Sequence, residues 1–383
     1  MAAYLEQVQW KVRPATVIDE PTLGPPLPVI ELPFGELEVG ASIRRMAKNK
    51  ATGPDDVPAE YWQRLADNAV ALAIAVDFLN ACWNAEKVPD QWHLAFVSAI
   101  FKKGSTADCE NYRPISLLCV GYKLFASLLK ARLVDAGAEE RLSKTQFGFR
   151  SGYGTVDAVF VLRRRIELAL AQRSGKVLVL ALDWQKAFDS IDPAAMVAGL
   201  RRFGVPAKIL NIVTDIYARR LFQVWDSGYA SQAHVQHSGI SQGCPLSPFL
   251  FSMVMTVIVH DAVARLEPRA RQLYDTGVMS ELLYADDTLL ISEDSQSLES
   301  MLFAIEAAGA SFGLVLHSDK FQLMKIGTEG VIRRADGRVI PPSSQIVYLG
   351  SLISEDGRIE KELGRRIGAA KAEFRELARA WRL

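Results

Sequence analysis

Leu282-Leu283-Tyr284-Ala285-Asp286-Asp287-Thr288-Leu289-Leu290-Ile291 sets two adjacent carboxylates between two apolar runs. The flanks have strand character and the polar interruption is short, so the stretch reads as a hairpin with an acidic tip. Like charges this close repel, and neither is easily desolvated. A divalent cation is the usual remedy, and hard carboxylate oxygens suit Mg²⁺ or Mn²⁺ rather than zinc. A third carboxylate is therefore expected nearby.

Asp183 supplies it. Val177-Leu178-Val179-Leu180-Ala181-Leu182 is a continuous apolar run of strand length, as expected for a strand buried on both faces, and it ends at Asp183. Asp192 is placed to cap a helix running to Arg202, and Pro248 to Leu266 reads as a long buried helix. After the hairpin, Leu298, Met301, Leu302, Ile305 and Phe312 mark the inner face of a helix over Ser297–Phe312, with Gly313 as its stop. A last strand spans Gln322 to Ile326. This order, strand-helix-strand-strand-helix-strand, is the split βαβ arrangement of a ferredoxin-like sheet. There the first strand neighbours the hairpin, so Asp183, Asp286 and Asp287 are expected to converge on one edge. Two cations ~3.5–4 Å apart in such a site stabilise both the attacking and the leaving oxygen of a phosphoryl transfer. A lone aspartate at a strand end is ordinarily a turn or cap residue. The acidic pair between apolar flanks shifts the reading to a metal site.

The 383 residues suffice for a large core, and ~100–200 residues per domain suggests two to three domains. Charged residues at 23% and hydrophobic ones at 49% are ordinary globular values, which excludes disorder as the dominant theme. The formal net charge of zero gives no overall sign of a polyanion partner, although a local basic surface fits within a balanced total. Cys82, Cys109, Cys119 and Cys244 have neither CxxC spacing nor neighbouring histidine pairs, so a zinc site and a disulfide framework are not indicated. No signal-peptide pattern opens the chain, and the apolar run Phe249 to Val259 is shorter than the ~18–20 residues of a membrane span. A soluble intracellular protein with no membrane partner is expected, nucleus or cytoplasm left open.

Pro14, Pro21, Pro25, Pro26, Pro28 and Pro33 make residues 1–35 an extended arm without regular helix. A helix begins at Glu36 and stops at the turn Asn49 to Pro54. Another is expected within Ala59 to Glu86, with Tyr61, Leu65, Leu72, Val76 and Leu79 inward. A strand follows at Leu94 to Phe101, another helix within Pro114 to Leu133 with Leu117, Leu118, Leu124, Leu128 and Leu129 inward, and an amphipathic helix at Thr155 to Gln172 after the Gly-rich stretch Gly148 to Gly154.

Three blocks in this order resemble the motifs of reverse transcriptases. Leu182-Asp183-Trp184-Gln185-Lys186-Ala187-Phe188-Asp189-Ser190-Ile191 is similar to the motif with the first catalytic aspartate. Ser238 to Pro248 is similar to the QGxxxSP block, and Tyr284 to Asp287 to the YxDD box. Gly313-Leu314 with Lys320 resembles the next motif, and Tyr348-Leu349-Gly350 the primer grip. Asn49 to Asp55 and Asn111-Tyr112-Arg113-Pro114-Ile115-Ser116 resemble fingers motifs of the non-LTR (LINE-like) retrotransposon branch. The resemblance runs over about residues 36–375.

It implies an α+β, right-hand polymerase. A Pro-rich arm at 1–35 precedes helical fingers at 36–172. A ferredoxin-like (split βαβ) palm at 173–330 interleaves with the fingers. A primer-grip region at 331–350 leads to the start of a truncated thumb at 351–383. The implied reaction is transfer of dNTPs to the 3′-hydroxyl of a DNA or RNA primer on an RNA template, with two Mg²⁺ ions, or Mn²⁺, held by Asp183, Asp286, Asp287 and the carbonyl of Trp184. Phe188 falls where an aromatic ring excludes a 2′-hydroxyl, and Gln242, between Gly239 and Gly243, where nucleotide and template approach. Arg113, with Lys102 or Lys103, is implied to clamp the triphosphate. Lys320 is implied to act as general acid for the departing pyrophosphate, and Tyr348, Leu349 and Gly350 to hold the primer.

Arg163-Arg164-Arg165, and Arg365, Arg366, Lys371, Arg375 and Arg379, line either a template channel or solvated helix faces. No acidic constellation precedes residue 36 and no Cys-rich knuckle is present, so an endonuclease of the parent element is expected to be missing from this chain. The competing readings are a domesticated or decayed copy that binds nucleic acid without polymerising, and an intron-encoded maturase. Intact catalytic motifs argue against decay, and the Asn49 to Asp55 block against a maturase.

Overall fold

In chain order, the strands are β1 (Leu94–Phe101), β2 (Tyr112–Leu117), β3 (Val177–Leu182), β4 (Leu221–Asp226), β5 (Tyr229–Ala230), β6 (His234–Val235), β7 (Ser280–Tyr284), β8 (Asp287–Ser292), β9 (Gln322–Ile326), β10 (Gln345–Tyr348) and β11 (Ser351–Ser354). They belong to a computed structural model that describes residues 1–16, 20–226 and 228–380. The last three residues of the segment read as the start of a thumb lie outside these, as does the side chain of Arg379. Helices and sheets mix throughout, an α+β chain as expected. Residues 1–143, 185–259 and 308–315 form one unit, and 144–184, 260–307 and 316–383 a second.

In the second unit the sheet order is β7-β8-β3-β9, antiparallel throughout. The apolar run of β3 lies in the interior of this sheet, with Val177 to Leu180 buried. The helix Thr155–Ala171 turns Ala158, Leu162, Ile166 and Ala169 onto Val177, Val179, Leu289, Ile291 and Met324. Each large aliphatic side chain buried this way contributes about 1.5–3 kcal/mol. The hairpin β10-β11 adds Ile346, Tyr348 and Ile353 to the same core.

The first unit is built on the sheet β2-β1-β4-β5, with β6 also on β4. β1 runs antiparallel to β2 and parallel to β4. Three expectations fail here. The helix expected within Pro114 to Leu133 runs from Val120 to Asp135, so Leu117 and Leu118, expected on its inner face, precede it, and Leu117 belongs to strand β2. β2 lies at a sheet edge, and Pro114 opposes Ala99 at a position whose N–H the ladder does not use, so proline is tolerated. The single helix expected within Ala59 to Glu86 is two, Ala59–Leu65 and Ala69–Ala85, bent by 117°. Asn68 accepts a hydrogen bond from the Ala71 N–H and so caps the second, leaving Tyr61 exposed. The N-terminal arm is helical over Ala2–Gln9, because its prolines start only at Pro14. Leu5 and Trp10 then pack on Val97 and Phe222.

The helix Ser247–Ala264 is long and apolar enough to cross a bilayer, more than its central run suggested. It is 83% buried inside the protein, the property of a core helix.

Candidate active site

The β3–β8 ladder pairs Leu182 with Thr288, so the next step of the register sets Asp183 opposite Asp287. Two carboxylates thus face each other at the end of neighbouring strands. The carboxyl pKa of Asp287 is raised, first by desolvation and then by the Asp183 charge. Lys320, in the single turn Ser318–Lys320 before β9, extends its Nζ to 2.9 Å from Oδ2 of Asp183. The Trp184 indole N–H donates to Thr288 Oγ1 at 3.1 Å and fixes the chain just beyond Asp183.

Asp286 is the second central residue of the two-residue turn that joins β7 to β8. Among the described residues no three acidic, imidazole or thiol side chains meet as a ready-made metal cage. Of the three carboxylates expected to converge, the register sets Asp183 against Asp287, and Asp286 adjoins Asp287 in sequence.

Ala285, the first central residue, has φ +59°, a conformation disfavoured for a residue with a Cβ. Its N–H donates to Oε1 of Gln146 at 3.0 Å. Sequence reasoning missed Gln146, which no charge or periodicity marks and which lies far from the turn in the chain.

Of the tripeptide expected to hold the primer, Tyr348 ends β10, and Leu349 and Gly350 form the turn to β11, with positive φ at Leu349 (+48°) and Gly350 (+75°), the pattern of a type I′ hairpin turn. Tyr348 points into the core, and burial together with the Asp287 charge pushes its phenol pKa up. Of the three, Leu349 and Gly350 occupy the tip.

In the first unit, a second group of expected residues gathers around Asp189. This carboxylate is buried and accepts hydrogen bonds from Trp10 Nε1 at 2.9 Å and Gln242 Nε2 at 3.0 Å. Burial raises its pKa, opposed by these bonds and by the charges of Lys186 and Lys102. Gln242 is held from behind as well, its carbonyl accepting from the Ser116 N–H at 2.8 Å. Gly243, at φ +132°, is required there: a Cβ would lie 2.4 Å from the Ser116 carbonyl oxygen. Phe188 is half-buried and stacks on Phe251, ring centroids 4.6 Å apart.

Arg113 opposes Ile100, and the Lys102 N–H donates to the Asn111 carbonyl, so Lys102 and Arg113 share one face and Lys103 falls on the other. All three are exposed. Asp189 and Trp10 were not singled out from the sequence. An acid in apolar surroundings was the available signal for Asp189, and the arm reading hid Trp10.

The basic helix positions divide. Arg165 donates to the carbonyls of Gly277 and Val278, and Arg164 pairs with Glu167. Arg365 and Arg366 both pair with Glu362, whose pKa they pull down to about 2. These arginines have partners within the protein, while Lys371 and Arg375 stand on an exposed helix face.

Residues 100–353 match the family model described as reverse transcriptase (RNA-dependent DNA polymerase). The chain belongs to the reverse transcriptase family. It is a reverse transcriptase domain of the non-LTR retrotransposon branch. One relative, a probable RNA-directed DNA polymerase from transposon BS of Drosophila melanogaster, is 28% identical over 82% of this chain and 35% of its own length. The RNA-directed DNA polymerase from mobile element jockey of the same organism is 28% identical over 74% of this chain and 29% of its own. A Pol polyprotein from the R2 element of Nasonia vitripennis is 26% identical over 74% and 26%. This reverse transcriptase domain thus spans about a quarter to a third of the length of these relatives.

Proposed function

We propose that this chain polymerises DNA on an RNA template, adding dNTPs to a primer 3′-hydroxyl. The observation that carries the reading is Asp183 opposite Asp287 at the ends of β3 and β8, with the Asp286 carboxylate one residue away and Lys320 on Asp183. The sheet order β7-β8-β3-β9 is that of a split βαβ palm, and the β1–β2 hairpin with its surrounding helices serves as fingers.

The donors suit Mg²⁺ or Mn²⁺: the ligands are hard oxygens, and Asp183 and Asp287 set two carboxylates opposite each other. Asp183, Asp286, Asp287 and the Trp184 carbonyl would hold the metal. When bound, it supplies Lewis-acid stabilisation of the phosphoryl charge. Lys320 stands by Asp183 to donate a proton to the departing pyrophosphate. Arg113 and Lys102 take the triphosphate, Phe188 excludes the 2′-hydroxyl, and Gln242 orients the nucleotide. Leu349 and Gly350 hold the primer.

Purified protein should extend oligo(dT) on poly(rA) with dTTP, and Asp286→Asn should abolish extension. Equal activity in the variant would overturn the site assignment. Binding of poly(rA) without extension by the wild type, in Mg²⁺ and in Mn²⁺, would instead favour a chain that binds nucleic acid without polymerising.

A further inference from the structure

Thr145 to Phe147 runs alongside β7. The Leu283 N–H donates to the Thr145 carbonyl at 2.9 Å, and the Phe147 N–H to the Leu283 carbonyl at 2.8 Å. This places Gln146, which is fully buried, directly beneath the acidic turn. Its Oε1 accepts two backbone hydrogen bonds, from Gly148 at 2.8 Å and from Ala285 at 3.0 Å. The first bond folds the chain back over the side chain, and the second reaches the turn.

The turn needs that acceptor. In a two-residue hairpin the ladder uses the flanking pair, here Tyr284 and Asp287, and leaves the N–H of the first central residue without a partner. Ala285 is buried, so water does not meet that N–H, and its positive φ is held only by what surrounds it. The approach is close: a Cβ on Gly148 would lie 2.3 Å from the Ala285 nitrogen. The other end of the amide, Nε2, finds no hydrogen-bond partner among the described residues. A buried, half-satisfied glutamine is costly, and the half that is satisfied is the half that grips the turn.

We infer that Gln146 is a positioning residue, which fixes the Ala285 peptide and through it the directions in which Asp286 and Asp287 present their carboxylates. The inference rests on the metal-site reading above. It assigns Gln146 no contact with substrate, so its loss should weaken the metal and slow the chemistry without changing nucleotide affinity.

The test compares Gln146→Ala, Gln146→Glu and Asp286→Asn with the wild type. Three readouts are needed: amide exchange of the 284–287 segment in metal-free protein, Mn²⁺ binding followed by electron paramagnetic resonance, and primer-extension kinetics with dTTP. In Gln146→Ala the turn amides should exchange at least about tenfold faster while those of β3 and β9 keep their protection. Mn²⁺ should bind about fivefold or more weakly, and kcat should fall about tenfold with KM for dTTP held within about twofold. Gln146→Glu keeps an acceptor for both N–H groups and should restore turn protection, which also settles the matter if the alanine variant does not fold. Unchanged turn exchange and Mn²⁺ binding in Gln146→Ala would overturn the inference, as would loss of protection across the whole sheet or a glutamate variant no better protected than the alanine one. If Asp286→Asn abolishes extension while Gln146→Ala matches the wild type, only this inference fails. If Asp286→Asn extends normally, the metal-site reading beneath it fails.

Discussion

Asp189→Asn changes one atom and should invert one amide. An ionised carboxylate only accepts hydrogen bonds, so Asp189 obliges both Trp10 and Gln242 to turn N–H groups toward it. Asparagine can still accept from Trp10 with its oxygen, but its NH₂ then faces the NH₂ of Gln242. The clash is relieved if the Gln242 amide rotates by half a turn, which brings its oxygen inward and its nitrogen outward. Folding loses little: two charge-assisted bonds become two neutral ones of about 1 kcal/mol each, and a carboxylate no longer has to be buried. The nucleotide meets a donor where an acceptor stood, a loss of about 1.5–3 kcal/mol, roughly tenfold to a hundredfold in KM for dTTP. Steady-state primer extension on poly(rA)/oligo(dT) measures this, with the melting temperature as control. A KM within twofold of wild type, while Gln242→Ala raises it, would refute the argument that Asp189 sets the orientation of Gln242.

Phe188→Ala should admit UTP beside dTTP, and an unchanged ratio of their kcat/KM values would remove the ring's role as sugar gate. Lys320→Ala should lower kcat by about a hundredfold or more if the ammonium donates the proton to pyrophosphate; an unaltered kcat would leave it as the ion-pair partner of Asp183 alone. The raised pKa of Asp287 means that the folded state binds its proton more tightly than the unfolded one, so the ionised side chain lowers stability as pH rises above the ordinary value of 3.8. Asp287→Asn should therefore melt higher than wild type at pH 7 in chelator, with the gap closing toward pH 3. An equal gap at both pH values would contradict this.

The elements that the sequence made legible are those whose pattern and role agree. β1, β3 and β9 fall where the apolar runs predicted them, and the Asp192 cap and the helix it starts follow the expected chemistry. The failures have physical causes. The strand Tyr112–Leu117 went unread because Pro114 argues against a strand unless that strand becomes an edge, a fact of tertiary structure. The N-terminal arm hid a helix because later prolines dominated its composition. At the site, Asp183 and Asp287 were legible because charge stands out in apolar sequence. Gln146 and Trp10 were not, since the side chain of each reaches its partner by a hydrogen bond across more than a hundred residues, which no local pattern marks.

In the proposed function, the carboxylates at the ends of β3 and β8 serve the copying of RNA into DNA. Sequencing the product made from a primer annealed to an RNA of mixed sequence, with all four dNTPs and Mg²⁺, tests it most directly. DNA complementary to the template, formed by the wild type and absent with Asp183→Asn, is the expected result. Product formed equally by the variant, or bearing no relation to the template sequence, would contradict the account.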